Sequence, residues 1–180
     1  KDVPGPLQNI AEQVVSKLHG YYGDIMGKKL AERYFPILAT FFIFIIVSNY
    51  SGLLPGAGHF SGFKVPTANL SVTAALALIG FFMIHTVGVK ERGVGGYLKS
   101  FLSVMLPLTI VEQLVRPFSL ALRLFGNLYG EEMVTENLYS IFPIILPLLM
   151  NVLSLLFCLI QALVFTMLLS IYISEAAEEE

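Results

Sequence analysis

Three long stretches of the chain carry almost no ionisable side chains, and this distribution constrains the fold more than any other feature. Residues 34–58 and 143–174 contain no Asp, Glu, Lys, Arg or His, and residues 65–89 contain only His85. A helix needs about 20 predominantly apolar residues to cross the hydrocarbon of a bilayer. Each stretch is long enough, so the sequence predicts a single, all-α integral membrane domain.

The overall composition supports this class and excludes several functions. Of 180 residues, 56% are hydrophobic and 13% are charged, whereas a soluble domain carries about 25% charged residues. The net charge of −2 offers no basic surface for nucleic acid. The chain has neither a GxxxxGK[ST] nor a GxGxxG pattern, so direct nucleotide binding is not expected. Cys158 is the single cysteine, and no two histidines have metal-ligand spacing, so we expect no disulfide, metal or cofactor.

The first segment of the chain is predicted to be a helix that does not cross the membrane. In residues 7–33 the apolar positions recur at three- and four-residue steps, as in Ile10, Val14 and Leu18. The other positions are too polar for a span, so the pattern predicts an amphipathic helix. A helix of this kind ahead of a span is typically found along the membrane surface.

Two spans and two longer helices are predicted to follow. The spans cover residues 36–54 and 69–89, and glycines and prolines separate them. The longer helices cover residues 97–138 and 141–174. A helix over residues 143–174 would extend roughly 48 Å, against a hydrocarbon core of about 30 Å. We therefore expect the last two helices to be strongly tilted.

Basic residues on both sides of the two spans predict the topology. Residues 28–33 carry three of them ahead of the first span, and residues 90–99 carry three after the second. The loop over residues 54–65 contains a single lysine or arginine, Lys64. The positive-inside rule places both basic clusters and both chain ends in the cytoplasm. The loop over 54–65 and the turn at residues 139–143 are then outside.

The helix predicted over residues 97–138 carries a stripe of charged and small side chains. On a helical wheel the following residues fall within about 60° of Arg123: Glu112, Arg116, Ser119, Gly126, Asn127 and Gly130. An arginine at membrane depth stays charged, and its insertion costs at least about 2.5–3.5 kcal/mol. Arg123 therefore faces a protein partner or a water-filled path, or else it reaches the interface or a structural ion pair. The close spacing of Gly126 and Gly130 favours an approaching helix.

Three acidic residues, Glu131, Glu132 and Glu136, follow this stripe. Glu132 falls on the opposite side of the helix from Arg123, which suits two separate aqueous routes. The alternative is that the three acids lie in water where the helix leaves the membrane. On the last helix, Ser154 and Gln161 share one face, and buried polar side chains there often join helices.

Part of the stripe resembles the signature of a known family. Residues 116–127 read RPFSLALRLFGN, which is similar to the [KR]-P-x-S-x-x-x-R-L-F-G-N pattern of subunit a of F-type rotary ATP synthases. Further matches are PTAN at residues 66–69, the glycines of residues 93–96, Glu112, and Gln161 with the alanine after it. The resemblance covers nearly the whole chain. The family's first transmembrane helix has no counterpart, so we expect a truncated start.

The resemblance implies a function and roles for four residues. The chain would be a non-catalytic, ion-translocating stator subunit whose last two helices form a tilted hairpin against a ring of c subunits. Arg123 matches the family's essential arginine and Asn127 the asparagine one turn on. Glu132 matches a half-channel acid and Gln161 the glutamine that faces the arginine. Protons or Na⁺ would enter one half-channel, ride the ring on its carboxylates and leave through the other, driving ATP synthesis.

Partners, location and supporting residues are also implied. The partners are the c-ring, peripheral-stalk subunits of the b type and the rest of the ATP synthase in a bilayer, with no nucleic acid. The membrane is the bacterial inner (plasma) membrane or an organellar energy-coupling membrane. The supporting polar residues are Glu112, Arg116, Ser119, Glu131, Glu136, Ser154 and Asn69, and the helix-packing residues are Gly126 and Gly130. Ser154 stands where many members have His or Glu, and Asn69 where some have Asp. The resemblance therefore does not define the route by which the ion enters.

Two other functions are compatible with the residues alone. A secondary ion transporter also uses intramembrane charges, here an Arg/Glu site. The chain has no internal repeat, and its single polar stripe argues against a self-contained transport site. A membrane scaffold without a transport role is the second alternative. Co-purification with a c-ring and nucleotide-binding subunits would separate a stator subunit from both.

Overall fold

The computed structural model describes residues 5–53, 66–101, 106–141 and 145–178. Within these ranges the chain forms five α-helices and two short 3₁₀ turns, and no strand. The helices are α1 (Pro6–Met26), α2 (Lys28–Tyr50), α3 (Leu70–Phe101), α4 (Leu106–Ile141) and α5 (Ile145–Ala177). The predicted loop over 54–65 lies outside the described residues, as do residues 142–143 of the predicted outer turn.

Among the described residues, three segments are long and apolar enough to cross a membrane: Lys28–Tyr50, Leu70–Tyr97 and Leu148–Ala177. A helix bonds most of its backbone groups internally, which is what crossing the hydrocarbon of a bilayer requires. The prediction of an all-α membrane protein is confirmed.

Gly27 separates α1 from α2. Its φ of 78° lies in the left-handed region that glycine adopts without a steric penalty. The amphipathic helix predicted over residues 7–33 therefore ends at Met26. Residues 28–33 instead begin α2, which continues through Pro36 to Tyr50.

Gly93 interrupts α3 in the same way, with a φ of 75°. Helical residues resume beyond this break and continue to Phe101. Residues 97–101, predicted as the start of the next helix, therefore belong to α3. The helix that carries the polar stripe begins at Leu106.

The break at Gly93 brings Tyr97 back onto its own helix. The Tyr97 hydroxyl is hydrogen-bonded to His85 Nδ1 at 3.0 Å. The ring covers Gly88 so closely that a Cβ added there would lie 2.5 Å from Tyr97 Cε2. The absence of a side chain at Gly88 is thus what permits the contact.

Helices α2 and α5 form the centre of the core. Leu38 and Ile45 of α2 and Leu169 of α5 are fully buried. The rings of Phe41 and Phe165 stack between the two helices with centroids 6.0 Å apart. Helix α3 packs on α4 and α5, and α4 packs on α5.

Helix α1 packs against both α2 and α5 through its second half. Tyr22 is fully buried, and its hydroxyl donates to Thr166 Oγ1 of α5 at 2.7 Å. Burial raises the pKa of the Tyr22 phenol, so the hydroxyl stays protonated as the donor. The apolar residues Ile10 and Val14 in the first half of α1 are exposed.

Several polar contacts lie at one end of the helices. Arg33 Nη1 of α2 pairs with Glu91 Oε1 of α3 at 2.6 Å, and the Tyr34 hydroxyl donates to the same oxygen at 3.1 Å. Arg92 Nη2 of α3 donates to the backbone carbonyl of Glu175 on α5 at 3.3 Å. The start of α2, the later part of α3 and the end of α5 therefore lie together. The side of the membrane that this end faces stays a prediction.

We predict that Gly88→Ala destabilises the protein. The added methyl group displaces the Tyr97 ring and breaks its hydrogen bond to His85, at a cost of about 1–3 kcal/mol for overpacking. The measurement is the midpoint of thermal unfolding in detergent. Gly95→Ala is the matched control, because no atom lies within 4 Å of a Cβ at that position. Equal midpoints for the two variants would contradict the packing argument.

Candidate functional site

Helix α4 places Arg116 and Asn127 of its polar stripe against α5 and leaves Arg123 exposed. It is one helix from Leu106 to Ile141, with Pro117 inside it, so the wheel register holds across the proline. Leu120, Leu124 and Leu128 recur at four-residue steps and are buried. This apolar face points into the bundle and turns Arg123 toward the outside.

Arg123 is exposed, and no described side chain forms a hydrogen bond or an ion pair with it. Gly126 and Gly130 lie on the same side of α4. A Cβ built at either glycine meets no atom within 4 Å. Within the described chain, the surface beside Arg123 is therefore open to another helix.

Arg116, the other arginine of the stripe, is held in a network of ion pairs. Its Nη2 lies 2.7 Å from Glu112 Oε1 one turn earlier and 2.7 Å from Glu175 Oε2 on α5. Its guanidinium covers the Tyr172 ring at 4.8 Å, and only 12% of its side chain is exposed. A structural ion pair was one alternative for Arg123. In the structure it is Arg116 that forms such a pair, with Glu112.

About one turn after Arg123, Asn127 and Gln161 join α4 to α5. Asn127 Nδ2 donates to Gln161 Oε1 at 2.5 Å. Gln161 is 4% exposed, and its buried Nε2 has no hydrogen-bond partner. Together with the contact between Arg116 and Glu175, this bond shows that α4 and α5 are antiparallel neighbours.

The model of the ATP synthase A chain family matches residues 1–174. The chain belongs to the ATP synthase A chain family. The resemblance inferred from residues 116–127 is therefore confirmed.

Bacterial relatives cover nearly all of the chain. ATP synthase subunit a 1 of Syntrophotalea carbinolica is 45% identical over 99% of this chain and 76% of the relative. ATP synthase subunit a of Geobacter sulfurreducens is 40% identical over 99% of this chain and 78% of the relative. ATP synthase subunit a of Moorella thermoacetica is 39% identical over 96% of this chain and 77% of the relative.

The three acids of this family member differ in their surroundings. Glu132 and Glu136 are exposed, whereas Glu131 is half-buried. The three carboxylates therefore do not share one environment, which the helical wheel had not indicated.

The remaining candidate residues have local roles. Ser154 is buried, and its hydroxyl donates to the Met150 carbonyl of the same helix at 2.8 Å. Asn69 caps α3, because its Oδ1 accepts from the backbone N–H of Ser71 at 2.9 Å. Ser119 is half-buried on the stripe. Among the described residues, no hydrogen bond or ion pair joins Asn69 to another candidate residue.

The sequence did not single out Glu175, which belongs to an acidic chain end. Its carboxylate contacts Arg116 and its carbonyl accepts from Arg92, so it connects α3, α4 and α5. The sequence contains one indication of this contact between Glu175 and Arg116. Glu175 is the first acid after the long apolar run, and an antiparallel hairpin of α4 and α5 places it near the level of Arg116.

We predict that Glu175→Gln weakens the attachment of α4 to α5. Glu175 is partly exposed, so the loss is expected to be about 1 kcal/mol. The measurement is thermal unfolding of Glu175→Gln, Arg116→Gln and the double variant. A coupling energy of at least about 0.5 kcal/mol between the two positions is expected for residues in contact. Glu32→Gln, an exposed acid on α2, is the control, and additive single effects would show that the pair contributes nothing.

Proposed function

We propose that this chain is the ion-translocating stator subunit in the membrane sector of an ATP synthase. It forms two half-channels against a rotating c-ring and couples the flow of protons or Na⁺ to ATP synthesis. The observation that supports this most directly is Arg123, an exposed charge with no partner among the described residues. Family membership and the names of the relatives point to the same complex.

Arg123 acts as an electrostatic separator in this proposal. Its guanidinium keeps its charge at any physiological pH, so it does not relay protons by titrating. A ring carboxylate about 4 Å away gains roughly 4 kcal/mol in its ionised form at an effective dielectric constant of about 20. The carboxylate therefore releases its ion as it passes Arg123. The same positive charge repels a cation that would cross directly between the half-channels.

The open surface beside Arg123 admits the ring helix. Gly126 and Gly130 carry no side chains, and nothing in the described chain fills the space next to them. Small residues at this spacing let helix backbones approach closely. The carboxylate of the ring can then come within reach of the guanidinium.

The proposed partners and location follow from the same role. The c-ring covers the Arg123 side of α4, and peripheral-stalk subunits of the b type hold the chain against rotation. The chain itself catalyses no reaction. The membrane is the bacterial plasma membrane, since the relatives described above are bacterial.

We predict that Arg123→Ala abolishes coupled ATP synthesis and opens a passive ion leak, because the separating charge is lost. Arg123→Lys keeps the charge on a different head group, so it should block the leak while synthesis stays badly impaired. ATP synthesis and passive ion uptake are measured in vesicles containing the assembled complex. Glu32→Gln is the control. Normal synthesis by an assembled Arg123→Ala complex would make Arg123 a packing residue.

We predict that Glu132 belongs to a half-channel on the side of α4 opposite Arg123. Glu132→Gln should slow ATP-driven ion pumping while assembly persists, because the neutral amide cannot take up and release the ion. Glu132→Asp keeps the carboxylate and should be milder. Pumping at the original rate by Glu132→Leu would identify the residue as a solvated position on the helix.

A further inference from the structure

A cleft opens at the end of the bundle where Gly27 joins α1 to α2. It lies between the end of α1, the start of α2, Glu91 of α3 and the end of α5. The positive φ of Gly27 lets the chain turn sharply there, so the two helices diverge from the mouth of the cleft. Its volume of about 510 Å³ falls within the roughly 300–1,000 Å³ of ligand sites. We call it the Gly27 cleft.

The Gly27 cleft has an apolar part and a basic part. The apolar side chains are those of Met26, Leu30 and Ala177. The charged side chains are those of Lys28, Lys29, Arg33 and Glu91. Among the described residues that line the cleft, three positive charges therefore stand against one negative charge. A ligand that fits this lining combines an anionic group with an apolar one.

The basic groups are available to such a ligand. Lys28 and Lys29 are exposed, and neither forms an ion pair within the described ranges. Arg33 uses Nη1 for Glu91 Oε1 at 2.6 Å, and 60% of its side chain is exposed. The Tyr34 hydroxyl donates to the same carboxylate oxygen, so the charge of Glu91 is offset by the protein itself. Two ammonium groups and the remaining N–H groups of Arg33 are left for an anion.

The level of the cleft in the membrane narrows the class of anion. The candidate span Lys28–Tyr50 begins at the cleft, and the candidate span Leu148–Ala177 ends there. The ends of spans lie at the level of the lipid headgroups. Basic pockets between membrane helices on the cytoplasmic side bind anionic headgroups, and the predicted topology places this end of the bundle in the cytoplasm.

We propose that the Gly27 cleft binds the headgroup of an anionic phospholipid. Lys28, Lys29 and the free N–H groups of Arg33 hold the phosphate, and the first part of an acyl chain lies on Met26 and Leu30. The site does not depend on the function proposed above, because residues of this chain form all of it.

Lysines at the ends of spans also extend into the interface without any specific lipid. Lys90 of α3 is the internal reference for that behaviour. It is exposed, belongs to the second basic cluster on the same predicted side, and does not line the cleft. A general attraction to an anionic surface would weigh Lys90 and Lys28 equally. A headgroup site depends on Lys28 and Lys29 alone.

The acidic end of the chain is the competing occupant. Glu178 directly follows Ala177 of the cleft, and two more acids follow it. The Glu178 carboxylate accepts from the Ser174 hydroxyl of its own helix at 3.3 Å. No ion pair joins it to a lysine in the described part of the chain. This contact favours a lipid over the chain end.

Photoaffinity labelling of the assembled complex in neutral detergent tests the site. The probe is a phosphatidylglycerol with a diazirine near the start of one acyl chain, and mass spectrometry identifies the labelled residues. We expect labelling within residues 26–33 or at Ala177. Lys28→Gln/Lys29→Gln should lower it at least fivefold, since each basic residue near an anionic headgroup contributes about a fivefold gain in binding.

Lys17→Gln/Lys90→Gln is the matched control, because it removes the same charge from exposed positions outside the cleft. It should leave the labelling unchanged. Equal labelling of the two double variants, or no labelling of these residues in the unmodified complex, would overturn the proposal.

Competition in the unmodified complex decides the question even if Lys28→Gln/Lys29→Gln fails to assemble. Unlabelled phosphatidylglycerol should displace the probe, whereas phosphatidylcholine with the same chains and millimolar inorganic phosphate should not. Equal displacement by phosphatidylcholine would reduce the cleft to an apolar contact, and displacement by phosphate would make it a site for soluble anions. Labelling that appears only after Glu178→Gln, Glu179→Gln and Glu180→Gln are combined would show that the chain end fills the cleft. Each of these three results contradicts a lipid site.

Discussion

The permanent charge of Arg123 is the constraint on which the arrangement of this chain depends. A guanidinium cannot give up its proton to enter a membrane, and no side chain in the described ranges offsets its charge. Its position must therefore be fixed by neighbouring contacts. The ion pair between Arg116 and Glu175 lies about two turns before it, and the bond from Asn127 to Gln161 lies about one turn after it. These contacts hold α4 on α5 while the charge between them stays free.

The outward direction of Arg123 could be predicted from the sequence, but the different environments of the two arginines could not. Direction depends only on the helical period, and α4 is unbroken across Pro117. Arg116 and Arg123 lie within about 20° of each other, so the wheel gives them the same surroundings. What separates them in the structure is Glu112, one turn before Arg116, together with Glu175, which lies at the end of another helix and reaches Arg116 only through the antiparallel packing of α5.

The predicted helix boundaries near Gly27 and Gly93 were wrong for a related reason. The chain contains 15 glycines, and composition does not indicate which of them adopt a positive φ. Gly27 ends α1 inside a stretch whose amphipathic pattern continues beyond it, and Gly93 breaks α3 where Tyr97 returns to cover Gly88. The break at Gly93 is accompanied by the contact between Tyr97 and Gly88, which the helical pattern of the sequence does not indicate. The all-α class was predictable because the charge-free stretches specify it without reference to any such contact.

The composition of the face around Arg123 indicates what kind of partner can cover it. Val115 and Val134, which lie within about 80° of Arg123 on the helix, are 52% and 49% exposed. Water would solvate the guanidinium but not these side chains, and lipid would accept the side chains but not the charge. A helix that is mostly apolar and carries one carboxylate at the depth of Arg123 satisfies both requirements. The glycines beside Arg123 allow such a helix to approach, and a ring of identical helices would present that carboxylate repeatedly as it turns.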